Sequence, residues 1–148
     1  MDTQWKPFNE KIKERGFWFL MEKTIRAVMS PDAKESWDEL NKTVAEEIEK
    51  GIENSFNQQL FKSIKRIKEL IETNKFYGDN IKKDLIPEYY KIKYGVTNLF
   101  RVELVGYWRL IYTLEDAGNN IEILAIVLEF MSHKDYDKRF GYKKNVKF

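Results

Sequence analysis

Apolar residues recur along this chain with two different periods, and the switch between them divides it. From Ala33 through Trp37, Leu40, Val44, Ile48, Ile52 and Phe56 they return every three or four residues, the spacing of one buried helix face. Ser30-Pro31-Asp32 supplies a start signal: a hydroxyl cap, proline at the first helical position and an acid in the first turn. Residues 54–59 turn polar, after which Leu60, Ile64, Ile67, Leu70 and Ile71 repeat the spacing until Asn74 and Gly78 end it. The pattern predicts a helical hairpin, with one kinked helix as the alternative. Residues 24–29, just upstream, read as a short strand, and residues 76–95 as a connecting loop carrying short pieces of structure.

Beyond residue 99 the period becomes two. Phe100, Val102 and Leu104 alternate with Arg101 and Glu103, and Trp108, Leu110 and Tyr112 alternate with Arg109, Ile111 and Thr113. An odd-numbered loop around Gly106 puts all six large apolar residues on one face. The same register sends Arg101, Glu103 and Arg109 to the other face, with Glu103 beside Arg109. Residues 121–130 are apolar on both parities in their middle, as in a strand covered on both faces. The resulting expectation is an α+β fold: an N-terminal short strand, a helical hairpin, then a three-stranded antiparallel meander, with the helices packed on one face.

A length of 148 residues suits a single domain with elaborations. Residues 23–148 are read as that domain. Residues 1–22, which carry Trp5, Phe8, Phe17, Trp18 and Phe19, are read as an aromatic extension packed on it. The net charge of +2 says little, but its distribution is uneven. Acids from Asp32 to Glu53 dominate the first helix, whereas Lys134, Lys138, Arg139, Lys143, Lys144 and Lys147 dominate the tail. The absence of cysteine excludes disulfides, thiol catalysis and thiolate metal sites. No apolar run reaches membrane-spanning length, and the short one at residues 16–21 lacks a cleavage pattern, so a cytoplasmic location is expected.

The order of elements, the Gly106-Tyr107-Trp108-Arg109-Leu110-Ile111-Tyr112 strand and the Ser132-His133-Lys134-Asp135-Tyr136 segment resemble the RelE/ParE superfamily of type II toxins. The likeness runs over residues 24–141. It implies a RelE-like fold and a toxin that cuts messenger RNA on the translating ribosome or, in the ParE branch, poisons DNA gyrase. It also implies a cognate antitoxin protein as partner, and no cofactor. By position, Arg109 matches the family's phosphate-contacting arginine, Arg101 a basic position of the preceding strand, and Tyr136 the C-terminal aromatic. His133 lies where several ribonuclease members carry a basic or imidazole group. Glu103 departs from the pattern, standing where ribosome-dependent nucleases often place a second lysine.

RNA cleavage without a metal needs a base for the 2′-hydroxyl proton, cations for the charged phosphorane and an acid for the leaving oxygen. His133 can serve as base or acid, Arg101 and Arg109 as phosphate clamps, and Tyr136 as a stacking platform. Each residue also has a plainer reading: His133 as a surface or capping group, Arg109 as the cross-strand partner of Glu103, Tyr136 as cover for the sheet edge. Lys91 and Lys93 sit among Tyr89, Tyr90 and Tyr94 and, with the lysine-rich tail, are candidate nucleic-acid contacts, or else a solvated face. A non-catalytic module that binds nucleic acid or protein is the alternative to a nuclease. No phosphate-binding glycine loop follows a strand, no serine lies in a nucleophile elbow, and one histidine without cysteine makes no zinc site.

Overall fold

The computed structural model describes residues 23–119 and 121–141, so the aromatic extension at residues 1–22 and the tail at residues 142–148 lie outside the described residues. Five strands and four helices follow one another in the order β1 (Thr24–Met29), α1 (Pro31–Glu49), α2 (Phe56–Thr73), β2 (Asp79–Asn80), α3 (Glu88–Tyr94), β3 (Phe100–Glu103), β4 (Arg109–Asp116), β5 (Glu122–Met131) and α4 (His133–Phe140). The sheet order is β1-β5-β4-β3-β2, with β1 parallel to β5 and every other pair antiparallel. The sheet is therefore mixed and five-stranded, not the three-stranded antiparallel meander that the alternation predicts. Strand β5 is interior, between β1 and β4.

The helical hairpin forms as two separate helices. Ser30 caps α1 by accepting from the Ala33 amide, and its own hydroxyl donates to the Leu128 carbonyl at 2.8 Å, so one buried side chain starts the helix and fixes it to β5. Ser55 caps α2 the same way, through the Gln58 amide. Glu47 holds the turn between the helices: its carboxylate accepts from Ser55, Asn57 and Gln58. These donors, Ser55 first, keep the Glu47 carboxyl below the usual glutamate range. At the far end of α2, Glu72 accepts from the Ala27 amide on the side of β1 away from β5, the sheet edge among the described residues, and so satisfies a backbone donor there.

Leu60, Ile64, Ile67 and Ile71 of α2 and Ala33 of α1 pack on one sheet face against Ala27, Phe100, Val102, Leu110, Tyr112, Ala125 and Val127. The opposite face is not left open. Helices α3 and α4 cover it, burying Tyr90 and Tyr136 against Leu99, Ile111, Leu128 and Met131. Helices thus lie on both faces, where the sequence predicts only one helical layer. The pairing of β4 with β5 explains how β5 serves both layers: Ile111 opposes Glu129 and Tyr112 opposes Val127, leaving Leu128 as an extra residue. This β-bulge turns Leu128 and Glu129 toward the same side, so Ala125, Val127 and Phe130 meet the α1–α2 layer while Leu128, Glu129 and Met131 meet α3 and α4. An unbroken alternation would have sent Glu129 into the α1–α2 core.

A depressed folded-state carboxyl contributes stability that is present above the unfolded pKa and lost as pH falls through the folded one. Glu47→Gln is therefore expected to lower the thermal midpoint at neutral pH. Its deficit should shrink as pH drops below about 4, the ordinary glutamate range. A deficit that does not change with pH would remove the ionised carboxylate from the account.

Candidate nucleic-acid interface

Alternation and loop parity place the cationic residues as the sequence predicts. Glu103 is the cross-strand partner of Arg109, Arg101 that of Ile111, and five residues separate β3 from β4. Arg101 and Arg109 share the face on which α4 lies. Ser132 caps α4 by accepting from the Asp135 amide, and Gly141 closes it in the left-handed conformation. That short helix carries His133 and Tyr136 one turn apart, and Tyr136 lands between the two arginines.

Arg101 donates from Nη1 to the Tyr136 hydroxyl at 2.8 Å, and its guanidinium carbon lies 5.9 Å from the ring centroid. The Arg109 guanidinium carbon lies 5.2 Å from the same ring, within cation–π range. Phe140 stacks on Tyr136 with centroids 4.3 Å apart. Tyr136 is only 2 % exposed, so its ring is part of the core, and the stacking platform that the sequence suggests is occupied by the protein's own groups. Its work in the free protein is to hold two cations near each other.

His133 is half exposed, and its Nε2 lies 3.3 Å from Asp137 Oδ2 one turn along α4, a contact that orients the ring. Tyr107, at the tip of the β3–β4 hairpin, meets the histidine with ring centroids 6.5 Å apart, and Arg109 donates from Nη1 to the Tyr107 carbonyl. A chain of contacts therefore runs from Arg101 through Tyr136 and Arg109 to Tyr107 and His133. Carboxylates stand beside both arginines: Asp79 lies 3.8 Å from Arg101 Nε, and Glu103 lies 3.7 Å from Arg109 Nη1. Asp79 and Glu103 are solvent-exposed and lie beyond hydrogen-bond distance of the arginines, so both pairs are loose.

The other cationic candidates are distributed. Arg139 binds Glu129 through two hydrogen bonds of 3.1 and 3.2 Å and lies 3.6 Å over the Tyr89 ring. Tyr90 donates to the same carboxylate at 2.5 Å, and burial, reinforced by Glu129, drives its hydroxyl far above the ordinary tyrosine value. This cluster locks α3 to α4. Lys93 lies 2.5 Å from Asp32 at the start of α1, where Tyr94 also donates; Lys93 first, then Tyr94, holds the Asp32 carboxyl low. Lys91 lies 3.7 Å from Glu88 on its own helix. Lys134 and Lys138 are exposed on α4, and Lys138 faces a groove of about 790 Å³ that α1 borders through Glu39, Lys42 and Glu46. Lys143 and Lys144 lie outside the described residues.

Four residues of this region escape the sequence reading. Asp137 was detectable as the acid four positions after His133, and Glu129 as the one acid late in an apolar strand. Asp79 gives no signal, because β2 is only two residues long. Tyr107 stands inside the Gly106–Tyr112 motif, but its exposure depends on the turn. Among the described residues, no three His, Cys, Asp or Glu side chains gather as a metal site, and no helix is long and apolar enough to cross a membrane. No family model matches the chain, no curated protein is significantly similar to it, and no solved structure matches it significantly.

The two roles of Tyr136 separate by mutation. Tyr136→Phe keeps the packing and loses the oxygen that accepts from Arg101, with an expected cost of about 1 kcal/mol. Tyr136→Ala empties a core site and is expected to cost about 3–5 kcal/mol. Urea unfolding measures both; no loss for Tyr136→Phe would deny Arg101 its hydrogen bond, and equal losses would deny the ring its packing role.

Proposed function

We propose that this chain is a RelE/ParE-like toxin that cleaves messenger RNA on the translating ribosome. The observation that carries the reading is the convergence of Arg101, Arg109, Tyr136 and His133 through one chain of contacts at one end of the sheet. The reaction asks little more of a protein than positioned charge and one proton-transfer group. The ribose 2′-oxygen attacks phosphorus, the bond to the 5′-oxygen breaks, and a 2′,3′-cyclic phosphate forms. Arg101 and Arg109 stabilise the charge that gathers on the phosphorane oxygens. His133 takes the 2′-hydroxyl proton or delivers one to the leaving 5′-oxygen, water serving the other step. Asp137 orients the imidazole. The natural partners in this reading are messenger RNA, the ribosome and a neutralising antitoxin.

A second reading, a non-catalytic module that binds RNA, draws on the carboxylates beside both arginines. It predicts binding that weakens steeply with salt and leaves the strand whole.

Induced expression is expected to arrest growth, and Arg109→Ala or His133→Ala to relieve it while each protein stays folded by circular dichroism. In a reconstituted translation reaction, either change is expected to slow cleavage about a hundredfold. Salt-sensitive binding without cleavage would select the second reading. Normal growth with abundant folded protein would overturn toxicity.

A further inference from the structure

Gly106 and Tyr107 form the tip of the β3–β4 hairpin, and both take left-handed backbone angles, with φ of 66° and 63°. The tip closes through Trp108 N to the Val105 carbonyl at 3.3 Å and Leu104 N to the Trp108 carbonyl at 2.7 Å. Glycine adopts that conformation freely and fits the first position for a second reason. A Cβ there would come within 2.6 Å of the Phe56 ring, so the tip rests directly on the start of α2. Tyrosine has no such excuse. Hairpin turns with two positive φ values favour asparagine, aspartate or glycine, and a bulky residue there is strained.

Burial does not compensate for that strain, because Tyr107 is 68 % exposed. The residue is held in place all the same. Its carbonyl accepts from Arg109, and its ring meets His133. A flat aromatic surface is thus presented to solvent next to the histidine and the arginine of the candidate site, on a backbone fixed from two sides. Strained, exposed residues of this kind collect where ligands are gripped. The other aromatic of the site, Tyr136, is enclosed and cannot receive a ligand's ring without leaving the core.

We propose that Tyr107 is the platform on which an unpaired base of single-stranded RNA stacks, while Arg101 and Arg109 take the flanking phosphates. This rests on the RNA reading of the site and adds a specificity element to it. Stacking requires a base face free of its partner strand, so duplex RNA is disfavoured.

The test uses the full chain and a short single-stranded ribo-oligonucleotide carrying 2-aminopurine, whose fluorescence falls when the base stacks. Wild-type protein and Tyr107→Phe are expected to quench it. Tyr107→Asn, which suits the left-handed turn, is expected to lose the quenching and bind about tenfold more weakly. Its salt dependence should be unchanged, since no phosphate contact is lost, and its thermal midpoint should equal or exceed that of wild type. Arg101→Ala and Arg109→Ala are expected to flatten the salt dependence instead. Undiminished quenching by Tyr107→Asn, with the arginine variants still impaired, would overturn the role of Tyr107 and leave the site reading standing. So would equal affinity for a duplex of the same sequence. No RNA binding by wild-type protein would overturn both.

Discussion

The side of the sheet on which Glu129 lies, and with it the junction of α3 and α4, depends on one extra residue in β5. A strand with strict alternation can offer one helical layer every second side chain, and Glu129 would then have pointed among Leu60, Ile64 and Val127, a costly place for a carboxylate. The bulge at Leu128 turns Glu129 to the opposite side, where Tyr90 and Arg139 satisfy both of its oxygens. Those contacts join α3 to α4, and α4 in turn carries Tyr136 to the arginines. A change of strand phase thus fixes the helix that carries Tyr136 to Arg109 on the adjacent strand β4 and to Arg101 on β3.

The Glu129 cluster and the arginine cluster use similar groups in different surroundings. Around Glu129, a carboxylate, a guanidinium and a buried phenol satisfy one another through three hydrogen bonds, and removing one would leave its partners short of a bond. Around Tyr136, the side chain of Arg109 is 15 % exposed and that of Arg101 more so, while their carboxylate neighbours face solvent. Burial orients these guanidinium groups without sealing them. Arginine suits the position better than lysine, because a planar group can lie against a ring and still direct N–H bonds outward. In the first cluster two hydrogen bonds tie the guanidinium to its carboxylate, whereas in the second the carboxylates stand 3.7 and 3.8 Å from the arginines.

Much of this was legible in the chain. The three- and four-residue spacing gave two helices, Ser30 the start of the first, and alternation with an odd loop gave the pairing of Glu103 with Arg109. These features depend on side-chain period and turn parity, which are local. The partner of β1 was not legible, since six residues with one arginine do not say which strand they will join or in which direction. The covering helices were missed because each is a turn or two long, too short for a period to emerge, and α3 lies in a stretch dense with lysine and tyrosine. The bulge has no sequence signature in β5, where apolar residues on both parities fit any two-sided strand. Tyr136 was rightly drawn to the arginines, but its burial follows from α4 packing on the sheet, which nothing local announces.

Glu103 looked from the sequence like the residue that cancels the site's charge, and the geometry gives it a smaller role. Glu103 is exposed and its carboxylate stands 3.7 Å from Arg109, beyond hydrogen-bond distance, so it can swing into water for little free energy. Arg109 meanwhile is held by contacts that an approaching phosphate does not disturb: the Tyr136 ring below it and the Tyr107 carbonyl beside it. A phosphate arriving at this edge therefore competes with the weaker of the arginine's interactions and keeps the stronger ones. On the proposed RNA reading, the acid would tune how tightly a phosphate is held, whereas the rings hold the guanidinium in place to meet it.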